Sequence, residues 1–182
     1  YLLDGPNVFV EKRMKPLSSE LSPAGRGSQP TDGGNLILDG RKEYDRAMSD
    51  PIAAKYVRPF RMGRELINGT NRWCLWMPGV EPSEIKSSSF LRDRVDAVKE
   101  TRLASRKAVT RGKAMTAWLF DENHQPSTRY LAIPAVFSGR REYATCDWYT
   151  SDIIAGNKIY TCADPDGLAF AVIESCMFMT WQ

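Results

Sequence analysis

The chain holds one histidine and four cysteines, and no apolar run approaches the ~18 residues that a membrane-spanning helix needs. Each scarcity excludes something. His124 lies in the polar stretch Asp121-Glu122-Asn123-His124-Gln125, where a lone histidine is a surface residue rather than a catalytic base. Cys74, Cys146, Cys162 and Cys176 are irregularly spaced and form no CxxC pair, which argues against zinc. They read as reduced, mostly buried thiols of a cytoplasmic protein. There is no basic segment followed by an apolar one, so no signal peptide is visible. No GxxxxGK[ST] phosphate loop and no GxSxG elbow occurs.

Two further absences concern methyl transfer. It would need a glycine-rich loop for the methyl donor and an [DNS]PP[YFW] tetrapeptide to hold a flipped adenine. Neither is present, since Pro165 stands between Asp164 and Asp166. The chain is therefore expected to carry no catalytic residue and no cofactor of its own. One fragment points the other way. Glu84-Ile85-Lys86 matches the ExK half of a metal-dependent nuclease site, although residues 64–80 supply no aspartate for the other half. A nuclease using Glu84 and Lys86, or a plain interaction module, stays open as the alternative reading.

What is present is an ordinary globular composition, 42% hydrophobic and 26% charged, over 182 residues. That length suits one domain. The chain opens on Tyr1 and stops just after the apolar run from Phe170 to Trp181, so residues 1–182 are expected to be one domain excised from a longer protein. The patterning predicts an α+β fold with a mixed or antiparallel sheet and one long basic helix. Strands are expected over residues 5–12, 57–61, 73–77, 143–149 and 158–163. Tyr130 to Phe137 reads as a strand broken by Pro134, hence an edge or a bulge. Asn68-Gly69 predicts a type I′ hairpin, because that turn needs φ > 0 at both central residues. Residues 16–34 read as loop, 41–48 as a short helix, and Asp50-Pro51 as the start of another. Ser88 or Ser89 caps the long helix, roughly 90–111, with Leu91, Val95 and Val98 as its buried stripe and Gly112 as its stop. Residues 170–181 are expected to be helical.

Net charge is +3, which permits an anionic partner without requiring one. The positive charge gathers in places. Arg102, Arg106, Lys107, Arg111 and Lys113 follow one another with no acid between them. Such a stretch suits a phosphate backbone, or equally a solvated helix end favoured by the helix dipole. Ser138-Gly139-Arg140-Arg141-Glu142-Tyr143 sets two adjacent arginines behind a small-residue turn, as a base-reading loop would. Gly33-Gly34-Asn35 could bring backbone amides close to a phosphate. The candidate DNA-contacting residues are thus Asn35, Arg102, Arg106, Lys107, Arg111, Ser138, Arg140, Arg141 and Tyr143.

Six blocks in order carry a resemblance. They are Gly27-Ser28-Gln29-Pro30-Thr31-Asp32-Gly33-Gly34-Asn35-Leu36, Tyr56-Val57-Arg58-Pro59-Phe60, Glu65-Leu66-Ile67-Asn68-Gly69 with Arg72-Trp73-Cys74-Leu75-Trp76, Arg102-Leu103-Ala104-Ser105-Arg106-Lys107, Tyr130-Leu131-Ala132-Ile133-Pro134, and Ser175-Cys176-Met177-Phe178-Met179-Thr180-Trp181. Together they resemble the target recognition domain of MmeI-like (type IIL) single-chain restriction–methyltransferase enzymes and related adenine methyltransferases. Two departures stand out. Ser138-Gly139-Arg140-Arg141 replaces a Ser-Ser-Glu-Arg-Arg-like loop, and Phe178 replaces a histidine between the methionines. The resemblance implies recognition of a duplex DNA site and positioning of an adenine for N6-methylation by a neighbouring methyltransferase domain of the same parent. It also implies that S-adenosylmethionine and Mg²⁺ belong to the parent's other domains, and that the setting is the bacterial cytoplasm.

Overall fold

The computed structural model describes residues 18–181. Strands β1 (Ala24–Arg26), β8 (Ile159–Cys162), β5 (Tyr130–Pro134) and β6 (Asp147–Tyr149) form, in that order, one antiparallel sheet. A second sheet runs β2 (Ile37–Leu38), β4 (Trp73–Leu75), β3 (Val57–Arg61) and β7 (Ile154–Ala155), antiparallel except for the parallel β3–β7 pair. The helices are α1 (Gly40–Ser49), α2 (Gly63–Asn68), α3 (Pro82–Ser87), α4 (Ser89–Leu103), α5 (Ala108–Gly112), α6 (Leu168–Ile173) and α7 (Cys176–Trp181). The fold is α+β, with mixed and antiparallel sheets. The strand expected over residues 5–12 lies outside the described residues.

The expected hairpin at Asn68-Gly69 is instead a helix end. Met62 N–H donates to Glu65 Oε2 at 2.9 Å, which opens α2, and Gly69 closes it at φ 64° and ψ 22°. The left-handed freedom that makes Asn-Gly a turn signal serves equally as a C-cap, and the two uses look alike in sequence. The flanking strands still pair antiparallel, with Val57 opposite Leu75 and Pro59 opposite Trp73. β4 is covered on both faces as its apolar alternation requires. Cys74 and Leu75 are buried, Trp73 lies against Tyr44 at 4.4 Å, and Trp76 meets Phe120 edge-on at 5.0 Å.

α4 begins as expected, with Ser88 Oγ accepting from Leu91 N–H at 3.0 Å. Leu91, Val95 and Val98 pack into the core with Leu36, Leu38, Phe60 and Leu75. The helix stops at Leu103, however, and Lys107 is extended at φ −82° and ψ 122° before α5 begins. The long basic helix is thus two helices with a break at 104–107. β5 also corrects its expectation. It is central in its sheet, with Tyr130 and Ala132 in one core cluster and Leu131 and Ile133 in another. Pro134 is its last paired residue, where a missing N–H costs least, and Ala135 N–H resumes the ladder to Lys158 O at 2.9 Å. The loop expected over 16–34 holds β1, and only Asp147–Tyr149 of residues 143–149 is strand. The closing segment is helical, in two pieces. Cys176, unlike Cys74 and Cys162, is exposed.

The two sheets meet where the chain leaves β1. Gly27 N–H donates to Ile159 O at 2.9 Å and Ser28 N–H to Ala155 O at 2.7 Å, so one stretch passes from the first sheet to β7 of the second.

Candidate DNA interface

The loop from Thr31 to Asn35 is shaped by local bonds. Thr31, Gly33 and Gly34 have φ of 43°, 62° and 86°. A positive φ is uncommon for threonine, and it is held here from three sides. Thr31 Oγ1 accepts from Gln29 Nε2 at 3.1 Å and donates to Asp121 Oδ2 at 3.0 Å, and Thr31 O accepts from Arg102 Nε at 3.1 Å. Asp32 Oδ2 accepts from Leu36 N–H at 2.5 Å. Asn35 Nδ2 donates to Asp32 O at 3.0 Å, and Asn35 O accepts from Arg94 Nη1 at 2.7 Å. Asn35 is therefore half-buried and largely spent on the loop, whereas Gly33 and Gly34 are exposed. Arg94, which no sequence motif marks, ties this loop to α4 and forms an ion pair with Glu43.

Arg102 is the main correction among the candidate residues. Its side chain is 0% exposed. Nε donates to Thr31 O, Nη1 to Lys113 O and Thr116 O at 2.9 and 3.1 Å, and Nη2 to Pro30 O and Leu119 O at 3.0 and 2.7 Å. All five N–H donors of a guanidinium are then in use, and none is left for a phosphate. Burial pulls its pKa down, while Asp121 and Asp32 nearby push it back up. Arg102 is a clamp between the Pro30–Thr31 turn and the segment after α5.

That clamp presents the other cations. Arg106, Lys107 and Arg111 are exposed on the break and on α5. Arg111 Nη1 donates to the carbonyls of Ser105 and Arg106, both at 2.9 Å, which closes the turn. Arg106 and Lys107 form no ion pair among the described residues, whereas Lys113 is paired with Asp121 at 2.7 Å. Gly33 packs on Thr101 of α4, so the glycine loop and the basic break are neighbours. The third candidate region, Ser138 to Tyr143, lies between β5 and β6 of the other sheet. Arg141 N–H donates to Ser138 O at 3.1 Å, and Arg141 Nη1 to Thr145 Oγ1 at 2.9 Å. Arg140 is exposed with no ion pair among the described residues, and Tyr143 of the same loop is also exposed.

The nuclease alternative finds no support in this geometry. Glu84 Oε1 accepts from Lys55 Nζ at 2.8 Å and Oε2 from the Tyr56 hydroxyl, while Lys86 is exposed on the same short helix. Among the described residues, no three of His, Cys, Asp and Glu are grouped to hold a metal ion.

Three carboxylates stabilise the fold in their charged form. Hydrogen bonds from Lys55 and Tyr56 hold Glu84 below its ordinary pKa. Burial pushes Asp121 and Asp50 upward, but donors outweigh it and both end lower: Lys113 and Thr31 at Asp121, Ser88 and the Ala53 and Ile52 amides at Asp50. A depressed folded pKa adds stability that is complete above the unfolded value, near 4, and is lost as pH falls through the folded one. Resistance to urea is therefore expected to be level down to about pH 5 and to decline below about pH 4. Asp121→Asn should flatten that decline, and an unchanged acid limb would refute the assignment.

The chain belongs to the family of MmeI target recognition domains, whose description matches residues 4–182. It is 32% identical over 181 residues to a protein called DNA methyltransferase A of Bacillus subtilis (strain 168), covering 100% of this chain and 20% of that protein. Among solved structures it is similar to the type IIL restriction–modification enzyme MmeI, described in complex with DNA. The TM-score is 0.88 at 34% identity, over 98% of this chain and 24% of that one. The chain thus spans a fifth to a quarter of the length of these relatives. No described helix is long and apolar enough to cross a membrane.

Proposed function

We propose that this chain is a recognition domain that binds duplex DNA sequence-specifically within a longer restriction–modification protein. It sets a target adenine for N6-methylation by a methyltransferase domain of the same polypeptide. The observation that carries this reading is the match, over 98% of the chain, to a protein solved in complex with DNA. Exposed Arg106, Lys107 and Arg140, free of carboxylate partners among the described residues, supply the charge that such binding requires. In this reading S-adenosylmethionine and Mg²⁺ are held by other domains of the parent, and the site of action is the bacterial cytoplasm.

The two basic regions play different parts. Arg106, Lys107 and Arg111 hold the backbone, while Arg140, with Ser138, Arg141 and Tyr143 around it, meets base edges. Arg140→Ala is expected to lose about 1–3 kcal/mol of discrimination at one base pair while general binding persists. Arg106→Ala should weaken cognate and unrelated duplexes alike and reduce the salt slope by about one. Anisotropy titrations of both variants against a library of duplexes would separate the two roles. Identical behaviour of the two variants would remove the division of labour.

A further inference from the structure

A groove of about 470 Å³ opens between the two sheets, lined by Asp39, Arg64, Glu65, Arg72, Val136 and Lys158 among others. Val136 stands two residues before Ser138, so the groove lies at the root of the loop that carries Arg140. Two of its cations are Arg64, on α2, whose Leu66 packs with Tyr130 and Ala132 of β5, and Lys158, in the turn between β7 and β8. Gly63 makes their approach possible. A Cβ there would stand 3.2 Å from Lys158 O, so the start of α2 closes onto that turn at main-chain distance. Lys158 O is in turn fixed by Ala135 N–H.

The charges in this groove are unevenly matched. Arg72 Nε lies 2.8 Å from Asp39 Oδ1, and Arg72 Nη1 lies 3.8 Å from Glu65 Oε1. Glu65 is also committed to the Met62 amide. One guanidinium thus engages both carboxylates. Arg64 and Lys158 are exposed and form no ion pair among the described residues. A second groove of about 510 Å³ adjoins the first through the shared Asp39 and reaches Gly34 and Asn35. It carries three carboxylates, Asp39, Glu43 and Asp93, against two guanidiniums, Arg46 and Arg94. Both of those guanidiniums are paired with Glu43, so a phosphate finds its unpaired cations in the first groove rather than the second.

We infer that Arg64 and Lys158 form a phosphate-backbone contact of duplex DNA at the base of the Ser138–Tyr143 loop, an inference that rests on the DNA-binding reading above. The two side chains clasp the backbone next to the base-reading loop and fix its register. Backbone contacts do this without carrying sequence information.

The test is a titration of the full chain with a fluorescein-labelled duplex of random sequence over a series of salt concentrations. The variant R64A/K158A is compared with K86A/R92A, which removes the same charge from α3 and α4. Circular dichroism confirms that each is folded, and R64K/K158R keeps the charge in place. The slope of log K against log salt is expected to fall by about two for R64A/K158A. It should stay at the wild-type value for K86A/R92A and R64K/K158R. An unchanged slope in R64A/K158A overturns the inference, as does an equal loss in K86A/R92A, which would mean that net charge alone is acting. A wild-type chain that binds with no salt dependence would overturn the DNA-binding reading and this inference together. Salt-dependent wild-type binding that R64A/K158A retains would overturn this inference only.

Discussion

Arg102→Ala is expected to lower the free energy of unfolding by about 3–5 kcal/mol, the range for removing one side of a buried charged arrangement. Total stability for a domain of this kind is about 5–15 kcal/mol, so the variant would sit close to the limit of folding. The reason is geometric. Five carbonyls from Pro30, Thr31, Lys113, Thr116 and Leu119 converge on one planar group. Removing it leaves them facing a desolvated space and frees the Pro30–Thr31 turn from the segment after α5. Lysine cannot repair the loss, because an ammonium carries three donors at one point where the guanidinium carries five in a fork. Arg102→Lys should recover less than half of the deficit. Urea denaturation measures both, and a lysine variant as stable as wild type would show that charge rather than the forked geometry is what matters.

Gly27→Ala is expected to cost about 3 kcal/mol or more, for a different reason. A Cβ at Gly27 would fall 2.5 Å from Gly156 O and 2.6 Å from Ala155 O. Both are main-chain atoms at the junction of the two sheets, so no side-chain rotation can make room. Relief would require β1 to move off β7, at the expense of the Ser28 N–H bond to Ala155 O. Gly25 provides the control two residues away, since a Cβ there meets nothing within 4 Å. Gly25→Ala should change stability by less than about 1 kcal/mol and in the favourable direction. Equal thermal midpoints for the two alanine variants would refute the close approach at the junction.

These two positions also show where sequence reading runs out. Arg102 and Arg106 look alike in the chain: two arginines four apart in one stretch without an acid between them. Arg102 continues the buried stripe of Leu91, Val95 and Val98 by one more turn of α4, and that register was available as a signal. The far side of the clamp was not, since the Thr31 and Pro30 carbonyls lie 71 and 72 positions away. Arg106 escapes the same fate because α4 ends at Leu103. Thr31 gave no sign of its positive φ, which depends on Asp121 and Arg102 together. Arg64 and Lys158 were unreadable as a pair, because their common groove exists only where α2 closes on the β7–β8 turn.

The α+β class, the Ser88 cap and buried stripe of α4, the two-sided burial of β4 and the family were legible in the order of the amino acids. All of these rest on side-chain periodicity, local turn chemistry or ordered blocks, which act over a few residues. Only the packed chain sets Asn68-Gly69 at a helix end, makes β5 central, breaks the basic helix, and turns Arg102 into a clamp while Arg106 and Arg140 form no ion pair among the described residues. The fate of each arginine follows from which distant carbonyls and carboxylates reach its charge. A buried guanidinium must satisfy every donor within the protein, whereas an exposed one keeps its donors for a partner.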